Sequence, residues 1–514
     1  MMFRWCIALL ILLLPRFSRA QTALYPEDGT IYDGKLHVVE LTMHPDSLTA
    51  LFKPENRWSN HSYPALFVYD GKDSLLKTGI RIRGNTSRNA KKQSLRLDFD
   101  EFIDQNYQGL KTFNLNGSHN DPSLLREYLS TLVMNRAGNP GMRSNLVKLY
   151  INKQFYGVYC NAEYFGKRFV ESRYEGDAGN LYKCSWPADL VYIDNNQQSY
   201  KKKINTSPLN ERAYELKTNE LADDYSGLVK LIKVINNTPS SRFKAAIDSV
   251  FEVQQYLKTL ATEVLIGHWD NYFYNKNNYY LYQQPENGKF VYMPYDMDNT
   301  FGVEWGVSDI NKRNIYAWGN LSGSKAPLTY KLLAVPEFKI DYERYLRQLI
   351  KDVFNDTKLF PVLDSLKTML NDAVKSDPYY SGTWTSDYGY DYTDWLNSFT
   401  KAIDSHSPFG LKPYISDRVN SARTQFIYPQ LSVAAKSDIR ISVYPNPFKD
   451  LIAIEGLLES GIAALYNSEG KLMQQKILEV GNNYWTGIDL PNGVYFIGIS
   501  TQTSVTQFRL VKTD

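Results

Sequence analysis

The hydrophobic period of this chain changes twice, and that order limits what it can fold into. "KLHVVELTM", from Lys35 to Met43, alternates apolar and polar residues as a strand does. "LFVYDG" and "KTGIRIRGN" continue in the same manner, with "PDSLTALF" as a short helix between the first strands. "KQSLRLDFD" is period two throughout: Leu95, Leu97 and Phe99 share one face, and Ser94, Arg96 and Asp98 the other. One helix interrupts, with Pro122 near its start, Leu125, Leu129 and Leu132 along one face, and Gly138 as its stop. "NLVKLYINKQFYGVYCNAEYF" then reads as a hairpin turning at Asn152–Lys153. From about Asp223 the helical period takes over, through "YSGLVKLIKVINN", "VQQYLKTLATEVLIGHW" and, later, "EFKIDYERYLRQLIKDVF" and "LKPYISDRVNSARTQFI". It is broken once by a second hairpin, "NNYYLYQQPENGKFVYMPYD", whose turn is Pro285–Gly288. Near residue 430 the chain returns to short alternating strands with turns at Asn-Pro, Glu-Gly and Asn-Gly. The class is α+β, strands first and helices second, followed by a small all-β sandwich over 438–514 behind a linker at 431–437.

The N-terminus reads as an address. "CIALLILLLP" is too short to span a bilayer and is flanked by Arg4 and by the small residues before Gln21, which fits a cleaved secretory signal over 1–20. No later stretch reads as a transmembrane segment. The formal charge is +3, and Arg4, Arg16 and Arg19 account for all of it, so the mature chain is near 3 − 3 = 0. A chain without a basic excess is a poor nucleic-acid binder. Cys6 lies in the signal, leaving Cys160 and Cys184 as either one disulfide or two buried thiols. There is no HExxH and no paired CxxC, so no zinc motif.

Two stretches carry chemistry. "HWDNYFYNKNNYYLY" sets Asp270 five residues before Asn275, and "YMPYDMDNTFG" supplies Asp296 and Asp298 after the second hairpin. Phosphoryl transfer asks a protein for a carboxylate that orients or deprotonates the acceptor hydroxyl, and for oxygen ligands that hold a metal on the phosphates. A helix, then HxDxxxxN, then a hairpin, then Asp followed by Phe-Gly supplies these groups in a usable order. The plain alternative for each Asp alone is a cap or turn residue. His268 alone reads as a packed, hydrogen-bonded side chain.

"GIRIRGNTSRNAKKQSLRLDF", "LREYLSTLVMNRAG", "NKQFYGVYCNAEYF", "HWDNYFYNKNNYYLY" and "MPYDMDNTFG" occur in the order seen in spore coat protein H-like kinases, and residues 35–430 resemble that CotH family. The resemblance implies an atypical protein-kinase-like fold of two lobes with nucleotide between them. A strand-rich N-lobe would occupy about 35–215 and a helical C-lobe about 216–430, within a kinase-like domain of 21–430. It implies ATP with Mg²⁺ or Mn²⁺, and transfer to a hydroxyl of a surface or co-secreted protein. Asp270 matches the catalytic aspartate, Asn275 the adjoining metal ligand, and Asp296 the metal-binding aspartate, with Asp298 sharing that task. Arg83, Lys91, Lys92 and Arg96 fall in the basic signature and are candidates for touching phosphate. Glu127 is placed to pair with such a cation, and Glu163 to face the adenine. No GxGxxGxV loop is present, as in the rest of that family. A non-catalytic surface protein that keeps the fold, and transfer of a different group from a nucleotide, stand as alternatives. "SVYPNPF" and "LPNGVYFIGISTQTSVTQFRLVK" resemble the C-terminal sorting domain of the type IX secretion system of Bacteroidetes, which implies that export machinery as a partner.

Overall fold

The computed structural model describes residues 29–174, 178–204, 208, 211–303, 308–319, 326–427 and 441–514, except 469, 487 and 502–504. The expected signal at 1–20 and linker at 431–437 lie outside the described residues.

The strand-rich region closes on itself. Seven strands, β1 (His37–Met43), β2 (Tyr63–Tyr69), β3 (Asp73–Ile82), β4 (Leu95–Asp98), β5 (Thr112–Asn116), β6 (Ser144–Ile151) and β7 (Gln154–Ala162), form a barrel in the order β1-β2-β3-β4-β5-β7-β6. The seam is a parallel pairing of β1 with β6, His37 opposite Val147. Closure leaves no edge strand. The alternating residues fill the interior, among them Val39, Leu41, Phe67, Ile80, Leu95, Leu97, Phe99 and Phe113. Arg96 and Asp98 point the other way and pair, Nε to Oδ1 2.7 Å. A two-lobe kinase-like N-lobe was the expectation; what is present is a barrel.

The β6–β7 hairpin turns on Asn152 and Lys153, both at positive φ (49° and 70°), as the sequence predicts. The interrupting helix begins later than Pro122, at Arg126, because Leu124 sits at φ 61°. The Asp121 carboxylate holds the start of the helix, accepting from the amides of Leu125 and Arg126, both at 2.8 Å. Arg126, fully buried, donates from Nε to the Thr300 carbonyl (3.1 Å), and Ser130 shares a hydrogen bond with the Thr300 hydroxyl (2.9 Å). The helix behind the barrel is thereby bolted to the segment that carries Asp296 and Asp298.

A second sheet, in the order β11-β10-β8-β9, joins β8 (Asn180–Cys184) and β9 (Tyr214–Leu216) to the hairpin β10 (Tyr279–Gln283) and β11 (Phe290–Pro294). The expected lobe boundary at 215/216 runs through this sheet. Against it packs the helix Val253–Ile266, buried along almost its whole length. It ends at Gly267, φ 78°, where a Cβ would meet the Tyr414 hydroxyl at 2.1 Å. Only glycine closes the helix there and releases the next residues as a loop. The remaining predicted helices are present, including Pro336–Asp352, Asp356–Ser376 and Leu411–Thr424. Cys160 and Cys184 are both buried free thiols. No described helix is long and apolar enough to cross a membrane.

The C-terminal strands are β12 (Ser442–Tyr444), β13 (Leu451–Leu457), β14 (Gly461–Asn467), β15 (Leu472–Leu478), β16 (Gly481–Thr486), β17 (Gly493–Thr501) and β18 (Val505–Lys512). They form a three-stranded sheet, β12-β13-β16, and a four-stranded sheet, β15-β14-β17-β18. They enclose their own apolar core around Ile452, Ile454, Leu465, Ile497 and Leu510.

Candidate active site

The loop released by Gly267 wraps around Asp270. Its Oδ1 accepts from the side-chain amides of Asn275 (2.5 Å) and Asn277 (3.4 Å). Its Oδ2 accepts from those of Asn278 (2.9 Å) and Asn299 (3.5 Å). Four neutral donors thus converge on one carboxylate, and among the described residues no cation is bonded to it. Burial raises its pKa, and the charge of Asp296 adds to the rise. The bond from Asn275 uses the amide nitrogen, which leaves its Oδ1 directed away from Asp270 and available as a ligand.

Asp296 follows the end of β11 in a left-handed conformation, φ 55°. Asp298, two residues on, has its pKa pushed well above the carboxylate range by burial and by the charges of Asp296, Glu127, Asp270 and Asp121. Glu127, on the bolted helix, accepts from the Asn116 amide at 2.6 Å and is raised to about 7 by burial and by Asp296. The charges of these carboxylates act on one another and repel.

Arg83 is the basic candidate that reaches this group. It follows β3, its backbone amide is fixed on the Ser94 carbonyl (2.9 Å), and its charge opposes the rise at Glu127. The other candidates are placed elsewhere. Lys92 is buried, with Nζ 2.9 Å from Asp377 Oδ2 and 2.8 Å from the Val158 carbonyl, between the rings of Tyr159, Tyr379 and Tyr380. A cation so fully partnered is not available to phosphate. Lys91 is exposed and reaches the Ser386 carbonyl at 3.2 Å. Arg96 is held by Asp98 and lies 4.3 Å from the centre of the Tyr164 ring. Glu163 is buried: Arg143 and Arg173 grip both of its oxygens, and they hold its pKa down against burial. His268 is buried, with Nδ1 3.1 Å from Glu263 Oε1.

Several contributors carried no sequence signal of their own. Lys183 on β8 pairs with Glu211 (3.1 Å), and Asp296 is among the charges that raise its pKa against burial. Asn299 donates to Asp270 and accepts from Asn120 on the barrel side at 3.0 Å. The asparagine density of "DNYFYNKNN" is the only hint the sequence gives of the amide cage.

A hard divalent cation suits this donor set, since Asn275, Asp296 and Asp298 offer oxygen only and the repulsion felt by Asp298 is what a cation would relieve. Among the described residues no three His, Cys, Asp or Glu side chains could hold a metal by themselves. Such an ion would draw further ligands from water or from a phosphate. A groove of about 1040 Å³ between the helices Pro336–Asp352 and Leu411–Thr424 contains none of these residues.

Residues 80–418 match the model of the CotH kinase protein family. The chain belongs to the CotH family. Among similar CotH proteins, the inner spore coat protein H of Bacillus subtilis is 26% identical over 344 residues, covering 67% of this chain and 89% of that protein. Invasin CotH3 of Rhizopus delemar is 24% identical over 341 residues, covering 61% of this chain and 54% of the invasin. The chain thus spans nearly all of the bacterial relative and about half the length of that fungal one. The Helicobacter pylori proinflammatory kinase CtkA matches at 9% identity with a TM-score of 0.22, over 65% of this chain and 95% of CtkA, a likeness too low to bear on the fold. Residues 442–513 match the secretion system C-terminal sorting domain, so this CotH protein carries an export tag for the cell surface or the medium.

Proposed function

We propose that this CotH protein is an exported phosphotransferase that moves the γ-phosphoryl group of ATP to a hydroxyl of a surface or co-secreted protein, after handling by the type IX secretion machinery. The observation that carries this reading is the amide-caged Asp270 carboxylate, which feels the charge of Asp296 and itself acts on Asp298. Asp270 has a raised pKa and directed amides around it, which suits a group that orients a hydroxyl and takes up its proton. Mg²⁺ or Mn²⁺, when bound, would neutralise phosphate charge, with Asn275, Asp296 and Asp298 as its ligands from this chain. Arg83, whose charge acts on Glu127, supplies a cation for a phosphate oxygen.

The test is a calorimetric titration of ATP into the full exported chain with and without Mg²⁺, paired with a phosphate-transfer assay. Metal-dependent binding that Asp296→Asn weakens supports the reading; an absence of both binding and transfer removes it. A second reading, a surface protein that keeps the fold without turnover, draws on the names of the relatives, spore coat protein and invasin. That reading gains if nucleotide binds and no transfer occurs.

A further inference from the structure

Between β8 and β9 the chain passes the rim of the site, and one side chain stands out there. Trp186 is 51% exposed. Its backbone is not free. The Trp186 amide donates to Asn277 Oδ1 at 2.9 Å, and the same Asn277 side chain donates to Asp270. One amide group therefore separates the Trp186 backbone from the caged carboxylate. The residues on either side are tied as well. The Ser185 amide donates to the Ala213 carbonyl (2.9 Å). The Ala188 amide donates to the Lys276 carbonyl (3.0 Å), and the Ala188 carbonyl accepts from the Tyr279 hydroxyl (2.6 Å).

The backbone is fixed at four points next to Asp270, and it leaves the indole half in water. Rigid aromatic side chains at the edge of a site are the usual anchors of recognition, because little rotamer freedom is lost when they are covered. The neighbouring residue, Pro187, is exposed and apolar, and both polar atoms of Asn277 are already used. Pro187 extends the apolar surface beside the indole, and an apolar side chain asks no hydrogen bond of it.

We propose that Trp186 is a specificity-determining residue that receives a large apolar side chain (leucine, methionine or phenylalanine) close in sequence to the acceptor hydroxyl of a polypeptide. This rests on the phosphotransfer reading for the identity of the hydroxyl, but docking itself is measurable without transfer. The experiment uses the full exported chain and fluorescein-labelled peptides carrying one serine flanked by leucines, or the same peptide with the leucines changed to alanine. Binding is read by polarisation in the absence of nucleotide. The leucine peptide should bind about tenfold tighter than the alanine peptide, Trp186→Ala should abolish that difference, and Trp186→Phe should keep most of it. ATP titration should be the same for all three proteins. Where transfer is active, Trp186→Ala should raise KM for the leucine peptide and leave kcat nearly unchanged. Equal binding of the two peptides by the wild type, no binding of either, or a preference that survives Trp186→Ala overturns the proposal. So does a labelled oligosaccharide that binds in a Trp186-dependent way while the peptides do not. Loss of ATP binding in the wild type would remove the phosphotransfer reading and leave the peptide result standing.

Discussion

Lys92 and Asp377 form a buried ion pair 2.9 Å long, between a turn of the barrel and the end of the helix Asp356–Ser376. Asp377 also accepts from the amides of Val158 (2.8 Å) and Tyr379 (3.0 Å), and Gly157 lies so close that a Cβ there would meet the carboxylate at 2.5 Å. Removing one partner of such a pair strands the other charge in the interior, at a cost of about 3–5 kcal/mol. Lys92→Met is expected to lose stability on that scale, and the double variant Lys92→Met/Asp377→Asn to lose less than the sum of the single changes. Chemical denaturation of the four proteins measures it. Folded Lys92→Met should bind ATP like the wild type; selective loss of ATP binding with stability intact would return Lys92 to the nucleotide site.

Asp270→Asn is close to isosteric but electrically wrong. Both oxygens of Asp270 accept from amide donors, so a side-chain NH₂ at this position must meet Asn275 and Asn277 or Asn278 and Asn299 donor to donor. The variant should lose about 1–3 kcal/mol of stability and lower turnover by about two to four powers of ten. Thermal unfolding and a single-turnover transfer assay separate the two effects. ATP affinity should stay near that of the wild type.

The sequence and the structure agree where a local rule decides. The Asn152–Lys153 turn, the helix Val253–Ile266 and the alternation of Leu95, Leu97 and Phe99 are set by neighbours in the chain. The barrel is different. Its closure depends on β1 lying parallel to β6, a pairing across about a hundred residues that leaves no mark on either strand. The same holds for the site. The spacing of Asp270 and Asn275 lets them meet in a hydrogen bond, but the destination of a lysine is not legible in its neighbours. Lys91 and Lys92 are adjacent, yet one is exposed and the other is sealed against a carboxylate 285 residues away. Asn120 and Asn299 meet from opposite sides of the cleft, and neither stands out in its own surroundings.

The C-terminal module has its own core and matches a sorting domain, so it should be separable from chemistry. Deleting residues 438–514 should abolish surface display while the remaining chain binds ATP within a few-fold of the full protein. Cell fractionation with an antibody to the barrel measures the first, and calorimetry the second. Normal display of the truncated chain would show that the module is not the address.

Glu127 gives the site a pH dependence with a defined sign. Its pKa rises from 4.5 in an open chain to about 7 in the fold, chiefly through burial and then through Asp296. Between those values the folded protein holds a proton that the unfolded chain has released. Stability therefore falls as pH climbs through that window and levels off above it. The interval is 7 − 4.5, and at about 1.4 kcal/mol for each pH unit it corresponds to about 3 kcal/mol. Glu127→Gln keeps an oxygen for the Asn116 amide and removes the charge. The variant should match the wild type near pH 4.5 and unfold at a higher temperature at pH 8, by an amount that vanishes as pH is lowered. Measurements in EDTA keep divalent cations from masking the repulsion. If Glu127→Gln were no more stable than the wild type at pH 8, the carboxyl would not be held under repulsion by Asp296, and the picture of a charge-crowded cleft would fail at that residue.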